Sequence, residues 1–181
     1  MKRRTKIACA FALVAGALWL ARKPLVLTMV TFEPPHRVHL PSGKLTSSFT
    51  ERLDADTKKS TSNSVDDVVR LVLAETAAQL TFGLSHKTTL VYDGVEREGN
   101  CVEYADLFAT IFNRQSVDAH AYVVRSDARI LGQHIARPAW KDHDWVIVTT
   151  TTGRLFIDPT LYDLGLGWDI TSSVRGKITT P

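Results

Sequence analysis

The sequence predicts an α+β domain in which helices pack against an antiparallel sheet, preceded by an N-terminal apolar helix. Three observations carry that expectation. Helical periodicity follows Ser64, a second helical pattern follows Asn100, and three β-type runs then succeed one another within about 110 residues. The chain of 181 residues suits one domain with an appendage better than two full domains.

The first helix is expected to start at Ser64, where Asp67 completes a capping-box-like pattern and Asp66 and Asp67 suit the positive helix end. Val65, Val68, Val69, Val72, Ala77 and Leu80 recur at helical spacing, and Gly83 stands where a C-terminal cap belongs. The second helix is expected from Asn100 or Cys101 to Asn113, with Cys101, Ala105, Phe108 and Phe112 on one face. Strands are expected over Ala119–Arg125, Asp144–Thr150 and Arg154–Asp158, with a loop from Ser126 to Asp142. Residues 33–63 hold Pro34, Pro35, Pro41, Gly43 and nine Ser or Thr, which reads as a linker. The domain is therefore expected over residues 64–171, with a tail at 172–181.

Residues 1–32 read as a signal peptide or membrane anchor. Met1–Lys6 is basic, Ile7–Ala21 is unbroken in apolar or small character, and Arg22, Lys23 and Pro24 close the run before a second apolar stretch. Fifteen residues fall short of the roughly 20 that span a bilayer, although extension toward Val30 with snorkelling of the basic pair would suffice. Ala15-Gly16-Ala17 offers a cleavage site, so both outcomes stand. Either one exports the domain. Six of the 22 basic residues lie in the first 23 positions, leaving 16 bases against 19 acids in the rest. The basic pI is a property of the leader, and nucleic acid is not an expected partner. Two cysteines, Cys9 and Cys101, exclude a disulfide-stapled scaffold and any cysteine-cluster zinc site.

Cys101 is the sole cysteine beyond the leader, and it opens the second helix. First-turn N–H groups and the helix dipole favour an anion there, which enriches the nucleophilic thiolate. The same groups can receive the oxyanion of a tetrahedral intermediate. Taken alone, a cysteine on an apolar helix face is more often a small buried hydrophobe. His143 starts a strand and Asp158 ends the next one. A hairpin turning at Thr152-Gly153 would bring that carboxylate near the imidazole, where it would hold the tautomer.

The segment Gly99-Asn100-Cys101-Val102-Glu103-Tyr104-Ala105 resembles the nucleophile helix of the transglutaminase-like cysteine enzymes. His143-Asp144-Trp145-Val146 resembles their His-x-Trp-Val strand, and Asp158-Pro159-Thr160 their closing Asp-Pro-Thr, in the same order. The resemblance spans about Ser64 to Asp163. It implies a papain-like core with Cys101 as nucleophile, His143 as general base and acid, and Asp158 orienting the histidine. It further implies thioester chemistry on a peptide or protein substrate, leaning to hydrolysis over cross-linking, with no cofactor and no metal. Asp144 departs from the family's small residue after the histidine, and no arginine is evident in the strand after the cysteine helix, where Asp118-Ala119-His120 stands. Only the Cys101 N–H is identifiable as an oxyanion donor.

Rival readings are an inactive module that binds a peptide or protein partner at the membrane, and a Cys101 that pairs with another chain. His120, His134 and His143 lack helical ligand spacing and an acidic ligand motif, so a metal site is not expected. Trp140, Trp145 and Trp168 are candidates either for lining a cleft or for packing.

Overall fold

Cys101 heads a helix whose apolar stripe lies across the middle of an antiparallel sheet, and the computed structural model builds outward from that contact. It describes residues 27–40, 43–59, 64–84, 91–116, 118–134 and 142–176. The order is β1 (Val30–Phe32), β2 (His36–Arg37), β3 (Lys44–Leu45), α1 (Ser47–Lys59), α2 (Val65–Gln79), β4 (Leu80–Phe82), β5 (Val91–Tyr92) and β6 (Arg97–Gly99). Then come α3 (Cys101–Gln115), β7 (His120–Ile130), β8 (Gln133–His134), β9 (Asp142–Thr149), β10 (Arg154–Ile157), α4 (Pro159–Asp163) and a 3-10 turn at Thr171–Ser173.

The sheet runs β1-β7-β9-β10, every pair antiparallel, with β2 and β8 also joined to β7. Strand β7 is long enough to serve two sets of partners. Residues His120 to Asp127 pair with β9, and Ala128 to Ile130 pair with β1. On one face Tyr104, Leu107, Phe108, Ile111 and Phe112 of α3 meet Ala121, Val123, Val146 and Val148. On the other, Phe32, Val124, Trp145, Ile147 and Ile170 form a second cluster. Strand β9 is thus buried on both sides, which is why Trp145–Val148 is an unbroken apolar run.

Both expected helices form. Ser64 Oγ accepts from Asp67 N at 3.2 Å at the head of α2. That helix ends at Gln79 rather than near Gly83, because Leu80 turns extended and β4 leaves to pair in parallel with β6. The expected loop from Ser126 to Asp142 is strand in its first part: β7 continues to Ile130, with Ala128 between polar neighbours and packed in the second apolar cluster.

The boundaries of the domain need correction. Residues 33–63 are not a linker. Helix α1 lies within them, and Phe49 and Leu53, one turn apart, are each 2% exposed in the main core. One narrow apolar stripe docks a helix, and a composition count over 31 mostly polar residues dilutes it. The boundary at residue 32 cuts off β1, whose alternating Val30 and Phe32 had merged with the apolar leader. The boundary at 171 cuts the 3-10 turn: Ser173 Oγ donates to Leu27 O at 2.5 Å, and Arg175 N donates to Phe32 O at 2.8 Å. The expected leader helix over Ile7–Ala21 lies outside the described residues. Among the described residues no helix is long and apolar enough to cross a membrane.

A buried polar knot ties the N-terminal segment to α3. Gly43 N and Tyr92 Oη both donate to Asp106 Oδ2, at 3.0 and 3.3 Å. A Cβ on Gly43 would overlap the Tyr92 ring, so only glycine lets the chain pass this close. Burial pushes the Asp106 carboxyl up to about 6, its two hydrogen bonds pulling down and the Glu103 charge pushing further up.

Two outcomes follow. Leu53→Ala should cost about 2–5 kcal/mol in urea unfolding, whereas a residue in a tether would cost almost nothing. The folded state holds the Asp106 proton more tightly than the unfolded one, so this group makes stability fall as pH rises from about 4 to about 6. Asp106→Asn should remove that part of the pH dependence and leave the protein more stable near neutrality, by on the order of 2 kcal/mol.

Candidate active site

The chain reaches Cys101 through a constrained approach. Strand β6 ends at Gly99, where a Cβ would meet Glu103 Cβ at 3.1 Å and Leu80 Cδ2 at 3.2 Å, so the strand enters the helix without a side chain at the corner. Asn100 then caps α3. Its Oδ1 accepts from Val102 N at 2.9 Å, and its own N–H donates to Glu103 Oε2 at 2.9 Å, a complete capping box. Tyr104 N is bound to Asn100 O. Among the described residues, the Cys101 N–H is the first-turn donor left with no protein partner, beside a half-buried thiol.

His143 is the second residue of β9. Its Nε2 lies 2.7 Å from Asp158 Oδ2. Phe32 of β1 stacks on the ring, with centroids 5.5 Å apart and planes 22° apart. With Nε2 committed to the carboxylate, Nδ1 is the nitrogen left for the thiol. Burial disfavours the imidazolium, but the charge and hydrogen bond of Asp158, followed by the hydrogen bond and charge of Cys101, outweigh it and raise His143 well above its ordinary value.

Asp158 is fully buried, and both of its oxygens are used. It caps α4, with Oδ1 accepting from Leu161 N at 3.1 Å while Oδ2 meets the imidazole, and its backbone N–H donates to Trp168 O at 2.9 Å. The β9–β10 register explains its position. Ile157 faces Val146, so Asp158 emerges one step beyond, level with Trp145 and diagonal to His143. The structure thus brings together all three residues singled out in the sequence, Cys101, His143 and Asp158.

It also supplies two features that sequence reading missed. Asp144, a departure from the family pattern, lies directly across from Arg125 in the β7–β9 register. The two form a double hydrogen bond of 2.6 and 2.8 Å, with the Asp144 side chain almost wholly buried. Bonding to Asp144 raises the Arg125 guanidinium above its ordinary value against an opposing effect of burial, and the charges of Asp144, Asp142 and Cys101 add to the rise. An arginine therefore does stand in the strand after the cysteine helix, within electrostatic reach of the thiol. It lies seven residues beyond Asp118, and only strand register reveals it as the partner of Asp144.

The second feature is a cleft of about 390 Å³ that opens onto Cys101, His143 and Asp158. Its walls are chiefly apolar, including Val30, Phe32, Phe82, Leu84, Ile130 and Leu164. Of the candidate tryptophans, the two among the described residues do not line it. Trp145 is buried with Nε1 donating to Ser126 Oγ at 2.8 Å, Trp168 packs on the main core beneath Arg70, and Trp140 lies outside the described residues. His120 sits at the far end of β7, and the His134 side chain is outside the description. Among the described residues no three metal-ligating side chains gather.

Compared with protein-family models, with curated proteins and with solved structures, the chain finds no match. The site's own geometry therefore has to carry any functional reading.

Replacing Asp158 with Asn keeps a cap for α4 but removes the charge that sustains the imidazolium. The His143 pKa should fall, as read by NMR titration of the imidazole. A raised histidine pKa contributes stability that is complete below about 6.5, the unfolded value, and is lost as pH rises through the higher folded value. Asp158→Asn should therefore destabilise the protein most on the acid side, and an unchanged His143 titration would count against the pairing.

Proposed function

We propose that the protein is an exported thiol acyl-transfer enzyme with a papain-like core, akin to the transglutaminase-like cysteine enzymes its motifs resemble. The observation that carries this reading is an imidazole held by a buried carboxylate at 2.7 Å, on one cleft with a cysteine at a capped helix start. A binding module has no need of that combination.

The chemistry follows from the placement. His143 Nδ1 takes the Cys101 proton, and Sγ attacks the carbonyl carbon of an amide. The carbonyl oxygen becomes an oxyanion beside the free Cys101 N–H, at the positive end of α3. The intermediate collapses with cleavage of the C–N bond, the imidazolium protonates the departing amine, and a thioester remains. Water, deprotonated by His143, then releases a carboxylic acid and restores the thiol. An amine in its place would yield a new amide, and hydrolysis is the reading preferred here. Asp158 fixes the ring and stabilises its charge throughout. Arg125, anchored by Asp144, adds a positive charge to the strand that pairs with the one carrying His143.

The test is the rate of iodoacetamide labelling at Cys101 across pH, with the labelled peptide separated by mass spectrometry from the one containing Cys9. A thiolate sustained by His143 should label well below pH 8.5, the ordinary thiol value, and His143→Ala should slow labelling at pH 6 by about tenfold or more. A profile centred near 8.5 and indifferent to His143 would sink the enzyme reading and leave the binding module.

A further inference from the structure

We propose that the mouth of the cleft rests on a lipid bilayer, with Leu131, Leu84, Leu164, Ile130 and Phe82 in the interfacial region and the N-terminal apolar segment as the tether that holds them there. The inference extends the proposed function by naming where its substrate is presented, and it requires that the leader be retained rather than cleaved.

Seven large apolar side chains stand exposed among the described residues; four of them line this one opening and a fifth, Leu131, adjoins one of the four in sequence. Phe82, Leu84, Ile130 and Leu164 line the cleft, and Leu131 follows Ile130 at the tip of the β7–β8 hairpin. Single exposed leucines are ordinary, but a convergent set around a pocket marks an interaction surface. Leu131 is the most telling. It is 68% exposed and holds a left-handed φ of 51° beside Gly132 at 78°, a tight turn where Asn or Gly is the usual first residue. The fold accepts both a conformational cost and an apolar exposure at that tip, and no internal packing offsets either.

The path of the chain identifies what covers the surface. The Leu131 N–H donates to Met29 O at 2.8 Å, so the hairpin tip touches the point where the N-terminal segment enters β1. Leu27 packs on the second core cluster, and its carbonyl accepts from Ser173, which fixes the entry point. Only six residue steps separate Ala21, the end of the apolar run, from Leu27, a span of at most about 22 Å. A bilayer that holds Ile7–Ala21 is therefore brought beside the cleft mouth. Arg22 and Lys23 fall between the two, where cationic side chains meet anionic headgroups. A protein partner or a second copy would need its own complementary face, whereas the bilayer is delivered by this chain itself. The consequence is selection by place: an apolar cleft opening at the membrane surface takes its acyl group from a substrate lying in or against that surface.

The experiment uses the full chain with Cys9→Ser and Cys101→Ser, reconstituted in vesicles of phosphatidylethanolamine and phosphatidylglycerol. Bimane is attached through Leu131→Cys, or through Thr151→Cys in the exposed turn at the opposite end of β9. Lipids brominated in their acyl chains should quench the probe at position 131 by roughly twofold or more and leave the probe at 151 unchanged. Equal signals at the two positions in vesicle-bound protein, or mature protein isolated without its first 21 residues, would overturn the proposal. The readout involves no catalysis and is made without the thiol, so an inactive triad leaves it untouched. Failure here likewise leaves the Cys101 labelling result standing.

Discussion

The register between β7 and β9 is the constraint on which the rest of this structure depends. It sets Arg125 opposite Asp144 and Ser126 opposite His143, and it lets Trp145 reach back to the Ser126 hydroxyl. A slip of one residue would turn Asp144 onto the apolar cluster of Phe32 and Trp145 and turn His143 away from it. The Arg125–Asp144 pair penalises such a slip, because the almost wholly buried Asp144 charge left without its partner is expensive. That pair is better understood as a device that locks alignment than as a source of net stability.

From that alignment the candidate site assembles out of separate elements, each fixed by its own local chemistry. Cys101 is placed by a capping box and by a glycine corner where a Cβ would crowd Glu103 and Leu80. Asp158 is placed by a strand end and by its duty as a helix cap, which occupies one oxygen and leaves the other for the imidazole. His143 is held between that carboxylate and the Phe32 ring, on the cleft that Cys101 also lines. None of the three depends on a long flexible side chain, so the geometry costs little side-chain entropy to hold. Tyr104 adds a brace, with its hydroxyl 3.0 Å from Leu80 O and 2.6 Å from Asp163 Oδ2, joining α3 to the helix that Asp158 caps.

The same elements leave an opening with an apolar rim. Burying every large apolar side chain would have closed the approach to Cys101. The exposed leucines around the mouth are thus a feature of the site and not a defect of the core. They share the cleft lining with Val30 and Phe32 of β1.

Much of this was legible in the residue order. Helix starts at Ser64 and Cys101 follow from local capping chemistry, and the unbroken run Trp145–Val148 announces a strand buried on both faces. The candidate residues Cys101, His143 and Asp158 stood out because their side-chain chemistry and their places at element ends are local properties. The docking of α1 was hidden by its polar composition, the extension of β7 by alternating polar residues, and the role of Arg125 by the nineteen positions that separate it from Asp144. These depend on which distant segments meet. The sequence by itself determined where elements begin and which side chains are chemically capable. Tertiary structure alone decided which of them face one another, because strand register and helix docking are settled by burial across the whole core.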